Sequence, residues 1–404
     1  MRNPHRLDKL RAMSAVAEPV AVQRARLESV DVVRGVIMVI MALDHTRDFF
    51  GHPGSPTNLA TASVALFFTR WITNICAPVF FLLAGVGASL SLRKRSKREL
   101  SRFLFTRGLW LVLLELVLFR CFVLQFNFDY HTTIISVLWA LGWAMIVLSA
   151  LVYLRTSAIT AFGLLLIVGH NLLDKIQSSN PLWSILHSPN IIFSRPGYTV
   201  FLAYPLIPWI GVTAAGYGLG QIYTWPSARR RIFLLRLGLC LTAGFIILRA
   251  INIYGDPSRW STQPTTTYTV LSFLNTTKYP PSLLFLLMTL GPTLLLLWGL
   301  DEHTPTLLRP ALIIGKVPLF FYLLHFFFIH VLALIVSYIR FSQVQGMFHS
   351  PDLANFPITF LPGWGFTLPL VYLTWALVVI AVYPFCRCYA ALKQRSNNPW
   401  LSYL

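Results

Sequence analysis

The chain has 404 residues, of which 56% are hydrophobic, 14% aromatic and only 12% charged, with a mean hydropathy of +0.64. Such usage lies far from that of soluble domains and excludes a single water-soluble core. A net charge of +19 raises nucleic-acid binding, but most of the cations sit where a membrane protein retains them, so no nucleic-acid partner is expected.

Apolar runs recur along the whole length: Val32–Leu43, Trp71–Leu92, Leu109–Leu124, Thr133–Leu154, Ala158–Leu173, Val200–Ile222, Ile232–Ile251, Ser282–Leu300, Ala311–Ile339 and Trp364–Phe385. Most approach the roughly 20 residues that cross a hydrocarbon core of about 30 Å. They predict an all-α, polytopic bundle of about ten transmembrane helices. If the amino end is cytoplasmic, alternation collects 23 of the 33 lysines and arginines on the inner side, as the positive-inside rule requires. Both termini are then expected in the cytoplasm. The predicted organisation is a basic cytoplasmic segment over 1–28, a transmembrane domain over 29–386 and a cytoplasmic tail over 387–404. The first segment lacks the apolar core and small-residue cleavage site of a signal peptide.

The polar stretches Gly51–Arg70, Asp174–Gly197, Tyr254–Tyr279 and Arg340–Gly363 fall on the outer side, where their prolines and tryptophans suit interfacial loops or partial lids over a cavity. The five cysteines, Cys76, Cys121, Cys240, Cys386 and Cys388, show no metal-ligand spacing, and no metal is expected. No Gly-rich phosphate loop or internal repeat is visible, which argues against a primary pump.

The first span carries the most informative constellation. Arg34 and His45 are eleven positions apart, and eleven steps of about 100° return to within roughly 20° of the start. They share a face, about 16 Å apart along the axis. Asp31, Met38, Met41 and Asp48 fall near the same stripe. Charges inside a membrane are costly unless they face a protein interior or a wet cavity, so an ionisable stripe reads as functional. The plainer reading puts Asp44, His45, Arg47 and Asp48 at the membrane interface and lets Arg34 snorkel to inner headgroups.

Arg34, ten intervening residues and His45 form one set of matching positions with Ala77-Pro-Val-Phe-Phe-Leu-Leu-Ala-Gly, Tyr204-Pro-Leu-Ile-Pro-Trp-Ile-Gly, Lys278-Tyr-Pro-Pro-Ser and Gly315-Lys-Val-Pro-Leu-Phe-Phe-Tyr-Leu-Leu-His. In this set and its order, from about residue 27 to the carboxyl end, the chain resembles bacterial proteins with the catalytic domain of heparan-alpha-glucosaminide N-acetyltransferase. That group belongs to a wider superfamily of transmembrane acyltransferases. The resemblance implies transfer of an acyl group, acetyl by the family's name, from cytoplasmic acetyl-CoA or another acyl-CoA. The acceptor would be a sugar or glycan hydroxyl or amine across a bacterial inner membrane.

A histidine titrates near working pH and suits removal of the acceptor's proton. His45 is the expected base. Asp48, one turn later, is placed to orient its ring, whereas Asp44 projects about 100° away. In the lysosomal enzymes that name the family, the catalytic histidine follows the first helix after a short loop, which makes His52 a competitor. Beside Pro53 and Gly54, His52 also reads as an ordinary loop histidine.

For the CoA phosphates the expected ligands are Arg34, Arg102, Arg107 and Lys316, since guanidinium forks suit phosphate. The cluster from Arg93 to Arg98 reads as a topology signal. Asn127, Asp129, His170 and Asn171 end their spans near the depth of His45 and are expected to bind the acceptor, with Lys278 and His325. Glu115 is expected to pair with Arg107 two turns earlier, fixing the bundle. His325 and His330 differ by about 140° around a helix, which does not suit two ligands of one haem. The family segment instead places His325 toward a central cavity, beside the plainer reading of a satisfied buried histidine. A transporter or flippase using the same ionisable stripe is the alternative, although no inverted repeat supports it. The expected partners are the lipid bilayer, acyl-CoA and a glycan acceptor; the oligomeric state stays open, with a homodimer among the options.

Overall fold

The computed structural model describes residues 5–348, 353, 357–396, 398, 401 and 403, with side chains from residue 28 onward. The chain is mostly helical, with 70% helix and 5% strand. Helix α1 runs unbroken over His5–Phe50, so the short apolar run Val32–Leu43 is the middle of a much longer element. Most of the basic segment 1–28 lies outside the described side chains.

Helices α2 (Val64–Thr73) and α3 (Cys76–Ser91) are separated only by Asn74 and Ile75. Helix α4 (Lys97–Leu113) opens on a capping box in which Ser96 and Glu99 satisfy each other's backbone N–H. It continues as an eleven-residue π-helix, Leu114–Leu124. Bonding from i to i+5 repeats a face every about four to five residues. Glu115, Phe119, Arg120 and Leu124 therefore turn inward together, while Leu118 and Phe122 are exposed.

The remaining elements are β1 (Thr132–Ile135), α5 (Val137–Leu151), α6 (Thr156–Gly169) with a 3-10 turn His170–Leu173, α7 (Pro181–Leu186), β2 (Asn190–Arg195) and β3 (Tyr198–Leu202). They are followed by α8 (Leu206–Leu219), α9 (Ser227–Ile251), α10 (Thr266–Leu274), α11 (Leu283–Gly299), α12 (Arg309–Lys316), α13 (Pro318–Phe341), α14 (Gln345–Phe348) and α15 (Leu368–Arg395).

The strands form one sheet in the order β1-β3-β2, with β1 parallel and β2 antiparallel to β3. This corrects the expectation of an all-α chain. Two expected spans, Thr133–Leu154 and Val200–Ile222, each begin in a strand. Their first residues are β-branched and aromatic, which favours a pleated conformation, but a short apolar run cannot be told from buried helix by hydrophobicity alone. The run Ala311–Ile339 is likewise two helices, because Pro318 starts a new one after Val317, whose backbone leaves the helical region at φ -133°, ψ 50°.

Among the described residues, five helical segments are long and apolar enough to cross a membrane: α2 with α3, α6 with its 3-10 turn, α9, α13 and α15. Helices α5 and α11 are shorter apolar helices. The crossings between helices are built on small residues that let backbones touch. A Cβ on Gly35 of α1 would lie 1.8 Å from the Ala311 carbonyl oxygen, and one on Gly315 of α12 would lie 1.8 Å from that of Asp31. Gly108 of α4 and Gly142 of α5 meet in the same way. A buried ion pair ties α9 to the end of α11: Arg230 donates Nε and Nη2 to the Asp301 carboxylate at 2.7–3.0 Å.

Candidate active site

Helix α1 packs against α12 and α13, and two cavities open along its polar stripe. The first, of about 370 Å³, is walled by Met41, Asp44, His45 and Asp48, by the inward face of the π-helix, by Phe201 and Ala203 at the end of β3, and by Lys278. The second, of about 330 Å³, is walled by Arg34, Met38, Met41, Arg107, Lys316 and Lys393. Met41, Phe80, Val137 and Tyr322 belong to both walls. The cavities therefore abut inside the bundle, and the stripe expected on α1 has one end in each.

His45 Nδ1 lies 2.7 Å from Nε2 of His325, and His325 Nδ1 lies 2.7 Å from the carbonyl oxygen of Phe321. A carbonyl only accepts, so His325 carries its proton on Nδ1. With both rings neutral, His325 Nε2 must accept, and His45 Nδ1 must donate. The lone pair of His45 Nε2 is left over, and no bond from a described residue engages it. The His45 ring is stacked on Phe326 at 3.8 Å between centroids, which fixes its plane.

The partner expected to orient His45, Asp48, is bonded to Arg47 instead. The orienting group comes from α13, which spacing along α1 cannot reveal. Asp44 is clamped between Arg47, at 2.8 Å, and Arg70. The expected pair of Glu115 and Arg107 is also replaced. Glu115 accepts the backbone N–H groups of Ser136 and Trp139, capping α5, while Arg107 lines the other cavity. Glu115 stands eight residues, about 12 Å along the helix axis, from Arg107, and the start of α5 supplies its partners instead.

Several other expected residues fall elsewhere. His52 is exposed, rests beside Gly365 and lines neither cavity. Arg34 bonds Asp31 at 2.7 Å and the Gly315 carbonyl at 3.1 Å. Arg102 is exposed and off the second cavity, whereas Lys393, not among the expected ligands, lies on its wall. Asn127 and Asp129 stand behind Arg120, accepting its Nη groups at 2.7 and 3.2 Å, and Arg120 itself reaches the first cavity. Lys278 is on that wall, over the ring of Tyr279. Its loop is anchored by Asp256, which accepts from Thr277 N–H, the Thr277 hydroxyl and the Ser282 hydroxyl. His170 and Asn171 belong to neither cavity: Asn171 Oδ1 accepts from Leu283 N–H at the start of α11.

Sequence reading missed Arg70, Tyr204 and Tyr322 in the first cavity. Arg70, a lone cation in Phe67-Phe-Thr-Arg-Trp-Ile-Thr, was the available signal. Residues 26–251, more than half of the chain, match the family described as Heparan-alpha-glucosaminide N-acetyltransferase, catalytic. The matched stretch supplies Arg34, His45, Arg70 and Arg107; His325, Lys278, Lys316 and Lys393 come from beyond it. No curated protein matches the chain.

Proposed function

The chain belongs to the family of the heparan-alpha-glucosaminide N-acetyltransferase catalytic domain, and from that membership we propose how this multi-pass membrane acetyltransferase works. It moves an acetyl group from cytoplasmic acetyl-CoA to a hydroxyl or amine of a sugar or glycan on the outer side of a bacterial inner membrane. The observation that carries this reading is the meeting of the two cavities at Met41 and Tyr322, with a basic cluster in one and His45 in the other.

In the proposed topology of ten spans with both termini inside, the cavity of Arg34, Arg107, Lys316 and Lys393 faces the cytoplasm and holds the CoA phosphates. The catalytic domain is residues 29–386, with the basic segment 1–28 and the tail 387–404 on the inner side. The thioester reaches the junction at Met41 and Tyr322. An acceptor in the outer cavity attacks its carbonyl carbon while His45 Nε2 takes the acceptor's proton. The new C–O or C–N bond forms, the C–S bond breaks, and the proton passes from His45 to the departing sulfur. His325 does not touch substrate in this scheme; it accepts from His45 Nδ1 and holds the ring in the tautomer that leaves Nε2 basic. Lys278, Arg70 and Arg120 supply charge for the acceptor, and Asn127 and Asp129 act through Arg120.

Purified protein in lipid vesicles, given labelled acetyl-CoA and a panel of amino sugars and glycans, tests the reading. Expected are CoA release matched by acetylated acceptor, abolished in His45→Ala and retained in His52→Ala. Movement of unmodified glycan across the vesicle without any acetyl transfer would replace it by the transporter reading.

A further inference from the structure

His170, Asp174 and His187 meet at a point that neither cavity uses. The donor atoms of the three side chains all lie within 4.8 Å of one another. His170 is 2% exposed, yet neither of its ring nitrogens has a hydrogen-bond partner among the described residues. The Pro281 carbonyl faces the ring without forming a bond of ordinary geometry. A buried imidazole with both nitrogens idle is uncommon, because buried polar groups nearly always find partners.

The surroundings are arranged like a ligand set. Asn171 Nδ2 donates to Asp174 Oδ2 at 2.8 Å, which fixes the carboxylate and leaves Oδ1 turned to His187 Nε2 at 3.5 Å. Metal-bound carboxylates and imidazoles are characteristically held by such outer partners. The His187 ring is 2% exposed and stacked on Trp183, and its Nε2 donates to the His170 carbonyl at 2.9 Å.

We propose that His170, Asp174 and His187 bind a divalent transition-metal ion, zinc by the character of its ligands. Two imidazoles and one carboxylate are a set that zinc accepts, with a fourth position for water. Bonds of about 2.0–2.1 Å draw tetrahedral donors to roughly 3.3 Å from one another, so the side chains close inward by an ångström or so on binding. To ligate through Nε2, His187 moves its proton to Nδ1 and releases the His170 carbonyl. The sequence hid the set because His170 and His187 are separated by a loop and a short helix. The ion joins the turn after α6 to the end of α7. Pro189, which lines the His45 cavity, follows two residues after His187. The role is to hold that wall in place, independent of acyl transfer.

The test uses the full chain purified on a tag that binds no metal, stripped with a chelator and titrated with Zn²⁺ alone. Expected are about one ion per chain by elemental analysis and a melting temperature raised by several degrees, since an ion that binds only the folded state stabilises it. His170→Ala and His187→Ala lose both effects, and Asn171→Ala weakens binding by roughly 10–100-fold. Stripped wild-type protein that takes up no zinc and melts at the same temperature with and without it would overturn the proposal. So would His170→Ala binding zinc as the wild type does. The wild-type titration stands even if a variant fails to fold, and binding of acetyl-CoA by the stripped protein keeps this result separate from the acyltransferase reading.

Discussion

The ring nitrogens of His45 and His325 lie 2.7 Å apart although the residues are separated by 280 positions in the chain. The carbonyl of Phe321, one helical turn before His325, dictates the direction of both bonds. One backbone oxygen on α13 thereby selects the tautomer of a side chain on α1. His325→Ala removes that selection and is expected to lower kcat by roughly 10²–10⁴-fold, with KM for acetyl-CoA unchanged. His325→Gln keeps an oxygen able to accept from His45 Nδ1 and is expected to retain more activity than His325→Ala. Steady-state kinetics over a range of pH check this: an unchanged kcat with a raised KM would show that His325 binds substrate instead.

The basic cavity makes a separate prediction about binding. Arg107, Lys316 and Lys393 line its wall and Arg102 does not. Each single alanine change at the first three is expected to raise KM for acetyl-CoA by roughly three- to tenfold, because a charge-assisted contact to phosphate is lost. Arg102→Ala is expected to leave it unchanged. Titration of bound acetyl-CoA on the four variants distinguishes a phosphate site at this wall from one along the exposed Arg93 to Arg102 segment.

Close backbone approach predicts where a single methyl group is not tolerated. Gly35→Ala puts a carbon 1.8 Å from the Ala311 carbonyl oxygen, and both elements must separate to admit it. A loss of at least about 2–3 kcal/mol is expected, together with weaker acetyl-CoA binding, since Arg34 bonds the Gly315 carbonyl across this crossing. Gly244→Ala on α9 has only Leu287 near it, at 3.9 Å. There the expected change is a small gain of about 0.5–1 kcal/mol from helix propensity. Thermal melting in detergent compares the two.

The Arg34–His45 stripe was legible because both residues sit on one uninterrupted helix, where spacing fixes direction. The pairing of His45 with His325 was not, since it depends on how α13 crosses α1, and the nearer Asp48 fits the same helical rule equally well. Glu115 was visible as a buried charge, but its partners are backbone N–H groups at the start of α5, which no pattern of side-chain charge reveals. The strands at Thr132–Ile135 and Tyr198–Leu202 were absorbed into apolar runs, because hydropathy measures burial and carries no record of backbone conformation. Arg70 and Lys393 are placed by contacts between distant segments, whereas Arg120 meets Asn127 and Asp129 through the turn that follows the π-helix, whose path no periodicity records.

Charge counted along the chain conceals a last distinction. Arg229, Arg230 and Arg231 all count among the 23 cations of the expected inner side, yet Arg230 is buried against Asp301 while Arg229 is exposed and Arg231 meets Glu302 at the surface. Desolvating a guanidinium is tolerable only with its partner present. Asp301→Ala is therefore expected to cost about 3–5 kcal/mol by leaving Arg230 buried and unpaired. Arg229→Gln and Arg231→Gln should each stay within about 0.5 kcal/mol. Because the pair lies outside both cavities, the surviving folded fraction of Asp301→Ala should turn over at the wild-type rate. The double change Arg230→Met with Asp301→Leu removes both charges and should recover much of the loss, since well-packed apolar residues often replace a buried ion pair without penalty. Melting curves of the single and double variants decide it. Equal destabilisation in both would mean that the pair is held by shape and packing at the end of α11, with charge compensation contributing little.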